Sequence, residues 1–312
     1  MSALVVVVIA VAAALAVVAG AGIFVLPLFG LVARHVTGLG RLHAGVAVLP
    51  WLLGALVALA VLVPGDPHTG EFLACHCADQ PGWWHLCAMH PWSSTGLLVP
   101  AALVLLFLLP GLLRRALVLL REPLGAGGGA TPRVLDLAEP VVLLHGWLRP
   151  GLLADRTLWS ELDEQERAVV VAHEQGHLAR RDPAVLMLLR VLVLPVPAIA
   201  ARPFLTSWLA HAEREADVAA ALAVGDPLLV ADTLLRAARR SLVVRHTALA
   251  WTGASLEDRV QSLLAVSDER LVPPTPDVSW LDGVLLLLFG LGALTTVPWL
   301  HHQLEHLLNL SL

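Results

Sequence analysis

The chain has no lysine and no tyrosine, three cysteines, and few charges of either sign. Charged residues make up 14% of its 312 positions, whereas soluble domains carry about a quarter. Hydrophobic residues make up 57%. That scarcity of charge excludes an ordinary soluble domain and predicts a membrane protein. Without lysine, all twenty basic residues are arginine, and no Ser-x-x-Lys nucleophile can be built. Without tyrosine, no phenol can donate a hydrogen bond at a reaction centre. A net charge of −5 says little about partners, and the modestly basic stretch from Arg236 to Arg245 reads as a solvated or headgroup-facing surface, not as a nucleic-acid site. No internal repeat is present.

What is abundant is long apolar sequence. Runs from about Ala3 to Val32, Ala44 to Val63 and Leu97 to Leu120 are each long enough to cross a bilayer as a helix, and a fourth lies near Val284 to Leu300. The first lacks a basic n-region and is far too long for a signal-peptide core, so it is expected to be retained. Arginine placement sets an orientation. Arg34 and Arg41 follow the first run, and Arg114, Arg115 and Arg121 end the third, while the 64–95 loop has none. The positive-inside rule then puts the N-terminus, the 64–95 loop and the C-terminus outside, and residues 121–279 in the cytoplasm.

One motif carries chemistry. His173-Glu174-Gln175-Gly176-His177 is an HExxH pattern preceded by a helix-start signal, in which Asp163 is a plausible N-cap with Glu166 three residues later. Residues four apart share a helix face, so His173 and His177 can present two imidazoles to one zinc ion, with Glu174 placed as general base. A catalytic zinc site usually takes three protein ligands plus water. Glu213 is the candidate third ligand. Asp217, one turn on, is the candidate carboxylate that orients a ligand imidazole. The alternative is that these are surface charges on an amphipathic helix, which is the expected role of Glu215. In the expected chemistry, zinc lowers the pKa of its water to about 7, and Glu174 takes the proton as the water attacks a peptide carbonyl. For the oxyanion, Arg214, His211 and His246 are unranked candidates. Val141 to Leu144 reads as a short strand whose edge can pair with an extended substrate.

The zinc helix, the following Ala179-Arg180-Arg181-Asp182 and the later Glu-x-x-x-Asp (Glu213 to Asp217) together resemble the integral-membrane gluzincins. These include the BlaR/MecR-type antirepressor peptidases and the HtpX and Ste24-like proteases. Gly146 to Leu153 resembles the strand and proline-containing turn ahead of the zinc helix in those families, and Ser255 to Val260 resembles the short helix that closes the catalytic domain. The resemblance covers about residues 140 to 266. It implies an α-helical membrane protein with four transmembrane helices and a mainly helical cytoplasmic gluzincin-type zinc peptidase domain carrying a short strand or small sheet. The expected division is a three-span module at 1–121, the peptidase domain at 122–277, and a fourth helix with a short external tail at 278–312. Three spans before the zinc helix match the BlaR/MecR-type layout. HtpX-like enzymes usually have two spans and a cytoplasmic N-terminus.

Three segments raise separate expectations. Ala184 to Leu205 is apolar but contains Arg190, Pro195, Pro197 and Arg202, and a full crossing would separate Glu213 from the two histidines. It is therefore expected to be re-entrant or to lie against the membrane. Residues 122–130 read as a flexible Gly-rich linker and Pro273 to Pro276 as a stiffer exit. The 64–95 loop holds Cys75, Cys77 and Cys87 with His68, His76, His85 and His90. There a disulfide from Cys87 to Cys75 or Cys77, a soft-metal site, and chance clustering all stand open.

The expected activity is hydrolysis of peptide bonds in a cytoplasmic protein, with a winged-helix transcription repressor as the favoured partner and a homo-oligomer possible. About a dozen residues follow the fourth apolar run and none is lysine, so a penicillin-binding sensor of the BlaR type is not expected within this chain. The alternatives are an HtpX/Ste24-like processing or quality-control protease, and a non-catalytic membrane sensor with a structural zinc site.

Overall fold

The computed structural model describes residues 2–34, 42–63, 97–125, 129–138, 141–243, 256–268, 292 and 296–310. Among the described residues the protein is mostly helical with one small sheet, and three helices are long and apolar enough to cross a membrane: α1 (Ser2–Ala33), α2 (His43–Leu62) and α3 (Leu98–Leu120). They are followed by β1 (Gly129–Leu135), β2 (Val142–His145), β3 (Gly151–Asp155), α4 (Arg156–Glu161), α5 (Glu164–Arg180), α6 (Asp182–Leu192), α7 (Ala198–Val224), α8 (Pro227–Val243), α9 (Leu256–Asp268) and α10 (Val297–Leu310).

The long helices pack through small residues. A Cβ on Gly54 of α2 would lie 2.7 Å from Val18 and 2.9 Å from the Ala14 carbonyl of α1, so only glycine allows this approach. At one end of the bundle Val6, Ile9 and Ala10 meet Val61, Leu97 and Ala101, and Leu304 of α10 packs on them. At the other end Leu26 and Ala47 share a cluster with Leu189, Val193, Val196, Phe204 and Trp208 from α6 and α7. The N-terminus of α1, the end of α2, the start of α3 and α10 therefore gather at one end, opposite α6 and α7.

The sheet has the order β1-β3-β2, with β1 parallel and β2 antiparallel to β3. Val142–His145 is thus an edge strand, as the sequence suggests for this run. The Gly-rich linker is shorter than the sequence predicts. Pro123 and Leu124 accept hydrogen bonds from Trp147, Leu148 and Arg149, and a Cβ on Gly125 would lie 2.1 Å from the Arg149 carbonyl. The chain is pinned there, and β1 starts by Gly129. Glycine permits close backbone approach, which is the use of Gly125 here.

The apolar segment 184–205 does not form one straight helix. It is split into α6, a turn at Val193–Val196 and the start of α7, with Pro195 and Pro197 on the turn. At eleven residues α6 is about 16 Å long, roughly half a bilayer's hydrocarbon thickness. The expected fourth span, Val284 to Leu300, lies mainly outside the described residues. Its described end runs on as helix to Leu310, with His301 buried and its Nδ1 against the Ala60 carbonyl. The residues expected as a short external tail are thus helical to Leu310, with His301 and Leu304 packed on the bundle. The 64–95 loop with Cys75, Cys77 and Cys87, His246, and the Pro273–Pro276 exit also lie outside the described residues.

Candidate metal centre

The zinc-type motif sits on α5, and its start follows the capping rule read from the sequence. The Asp163 carboxylate accepts from the Glu166 amide at 2.7 Å, and Glu166 accepts from the Asp163 amide at 3.1 Å. The helix faces α7 through very small residues. A Cβ at Gly176 would stand 3.0 Å from the Ala219 Cβ and 3.2 Å from the Ala216 Cα. That close crossing lets a short carboxylate on α7 reach two imidazoles on α5.

Three ligand atoms converge. His173 and His177 turn their Nε2 atoms toward each other at 3.2 Å, and the Glu213 oxygens lie 3.6 Å from His173 Nε2 and 3.8 Å from His177 Nε2. Two ligands each about 2.05 Å from a tetrahedral ion are about 3.3 Å apart, so the spacing suits a small metal ion. Each histidine is oriented from behind. Asp217 holds His173 Nδ1 at 3.0 Å, and Asp182 holds His177 Nδ1 at 2.7 Å. With both Nδ1–H groups donated to carboxylates, both Nε2 lone pairs and a carboxylate face one point, and such a donor set calls for a cation. The residues present fit a metal ion. They form the one His/Cys/Asp/Glu group of this kind among the described residues.

The carboxylates are themselves held. Arg259 of α9 donates two bonds of 2.7 Å to Asp217, which is fully buried, and its Nη1 is 3.0 Å from Glu213 Oε2. Arg180 pairs with Asp182 and donates to the Ala212 carbonyl at 2.7 Å, one residue before Glu213. Asp182 reaches back because Arg181 adopts a left-handed conformation (φ 56°, ψ 33°), which ends α5 and starts α6 in a single step.

Charge in the cluster follows from this packing. Burial opposes protonation of His173, but bonds to Asp217 and Glu213 outweigh it and raise its pKa to about 10 in the metal-free protein. A proton there occupies the place of a cation. Burial alone would raise Glu213, yet the bond to His173 and the nearby Arg259 bring it down to about 2. Asp217 is likewise lowered against its burial, by Arg259 and His173. Glu174 is pushed up, chiefly by burial, with His173 and His177 opposing. Among the described residues Glu174 has no hydrogen-bond partner, so its carboxyl is free to exchange a proton.

The structure brings His173, His177 and Glu213 together as a group able to hold a metal ion and sets Asp217 against His173. Asp182 and Arg259 join the site through contacts that the sequence does not mark. Among the oxyanion candidates, His211 and Arg214 lie half-buried on α7, while the guanidinium that touches the ligand set is that of Arg259. No helical spacing links position 259 to 213 or 217, so only its acidic-flanked helix start could have hinted at it.

No family model, no curated protein and no solved structure matches this chain.

Proposed function

We propose that this chain is an integral-membrane zinc-dependent endopeptidase of the BlaR/MecR-type, which cleaves a cytoplasmic protein, favoured to be a transcription repressor. The observation that carries the reading is the His173–His177–Glu213 convergence with an unpartnered Glu174 in the same motif. A His₂Glu set is one used by catalytic zinc, and a structural site needs no general base. When bound, zinc supplies Lewis acidity, which brings a water pKa near 7 and polarises a carbonyl. Glu174 accepts the proton of the attacking water and returns it to the leaving amine. Its raised pKa suits both halves of that exchange, because a carboxyl titrating nearer neutrality can take and give a proton at working pH. Asp217 and Asp182 keep both imidazoles in the ligating tautomer, and Arg259 prevents Asp217 from becoming an unpaired buried charge. The edge of β2 offers a place for an extended peptide to pair. The gathering of the metal-centre helices at the bundle end opposite the start of α1 supports a cytoplasmic site under the arginine rule.

The experiment is a comparison of wild type with Glu174→Ala in cells and as purified protein. The reading expects equal zinc in both and peptide fragments of one cytosolic protein in wild type only. Zinc in both with identical fragment patterns under every stimulus would favour a non-catalytic sensor.

A further inference from the structure

The tip of the α6–α7 hairpin has eleven uncharged residues, 191–201, between Arg190 and Arg202. One side is packed, with Leu189, Val193, Val196 and Phe204 buried against Leu26 and Ala47. The other side is bare: Ile199 is 86% exposed, Leu188 51% and Val191 41%. Gly22 of α1 abuts Val196, and Gly30 abuts Pro203 and Phe204. The start of α7 thus lies level with Phe24 and Leu28 of α1, which are 76% and 66% exposed. The bare side of the hairpin extends the apolar surface of a membrane helix.

The turn is also built for a place without water. Pro195 and Pro197 have no N–H to satisfy. The Leu192 carbonyl accepts from Trp51 Nε1 of α2 at 2.6 Å, and the Val196 carbonyl accepts from the Arg115 guanidinium of α3. The Val196 and Leu194 amides close onto Val193 and Val191 at 3.0 and 3.1 Å. A turn in water can leave its carbonyls to solvent, whereas non-helical backbone at membrane depth must be satisfied by protein. Arg190 pairs with Glu122 just past α3 at 3.5 Å, which fixes the base of the hairpin at the end of that span. From Glu122 back to Arg115 is about 10 Å along α3.

We propose that residues 191–201 form a shallow re-entrant wedge whose bare side, at Val191 and Ile199, contacts phospholipid acyl chains. The wedge enters about 10 Å from the headgroup boundary, the depth usual for interfacial apolar faces. Glu213 then stands about 21 Å further along α7 than Ile199, outside the hydrocarbon. The inference rests on α1 to α3 spanning the membrane and not on catalysis.

The test uses the full-length protein in phosphatidylcholine–phosphatidylglycerol nanodiscs. The photoreactive residue p-benzoylphenylalanine is placed singly at Ile199 or Val191, with Phe107 of α3 as the lipid-facing control and Arg156 of α4 as the water-facing one. Irradiation is followed by mass spectrometry of the intact protein. Lipid adducts at Ile199 and Val191 in yields matching Phe107, and far above Arg156, are expected. Adducts at Phe107 with none at either wedge position, or wedge adducts only to protein, would overturn the proposal. Failure of the peptidase reading would leave this result untouched.

Discussion

Metal binding to this centre must compete with a proton, and Asp217 controls both. In the metal-free protein the pKa of His173 is raised to about 10, so the ring is protonated at pH 7 and loses its proton only as pH approaches 10. A metal ion needs the neutral ring. Wild-type affinity should therefore rise about tenfold per pH unit from 7 to 9, or about 1.4 kcal/mol per unit. Asp217→Asn keeps the size and a hydrogen-bond acceptor but removes the charge that, with Glu213, holds the proton on His173. Burial opposes a proton on the variant's ring and only Glu213 still supports one, so the ring gives up its proton at lower pH than in the wild type and less proton competition remains. Loss of the orienting carboxylate should weaken the proton-free site by about 10–100-fold, and at pH 7 the variant's escape from proton competition works against that loss. From pH 7 to pH 9 the wild type should gain on the variant by up to about a hundredfold, because proton competition is relieved mainly in the wild type. Ionisation of a coordinated water affects both proteins alike and cancels in the difference. Competition titrations against a chromogenic chelator, run on both proteins across this pH range, measure the two slopes. Parallel lines would refute the account of the cluster, since they would mean that Asp217 does not hold a proton on His173.

Three further outcomes are expected. Asp182→Ala should lower zinc affinity by about 10–100-fold by freeing the His177 ring, read by the same titration. Gly176→Leu should drive α5 from α7, since even a Cβ there would stand 3.0 Å from Ala219; purified protein should retain its helical circular dichroism but carry little zinc. Arg181→Gly should stabilise the turn by up to about 1 kcal/mol by relieving the left-handed strain, seen as a higher melting temperature in detergent with zinc content unchanged.

Much of this site was legible because it is local. The i,i+4 spacing of His173 and His177 and of Glu213 and Asp217 puts each pair on one helix face, and the Asp163–Glu166 capping box marks where α5 starts. The three helices long and apolar enough to span a membrane follow from apolar length alone. What was hidden depends on contacts between distant segments or on unadvertised backbone. Arg259 reaches Asp217 across 42 positions. Asp182 acts on His177 because Arg181, a residue with no special liking for the left-handed region, adopts it. The start of α7 is not marked in the sequence, because Pro203 lies inside that helix where proline ordinarily breaks one. His43 and Ser207, buried and joined at 2.8 Å between α2 and α7, gave no sign at all; a lone histidine at the start of an apolar run has no visible partner until the helices pack.

The most direct test of the central claim is the zinc stoichiometry of purified full-length protein at fixed free zinc, measured by mass spectrometry of the metal for wild type and Glu213→Ala. The difference between the two isolates this centre from any metal held by the cysteine-bearing loop. The account predicts that wild type carries one more zinc per chain than the variant. Equal zinc in the two proteins, or none in either, would contradict it.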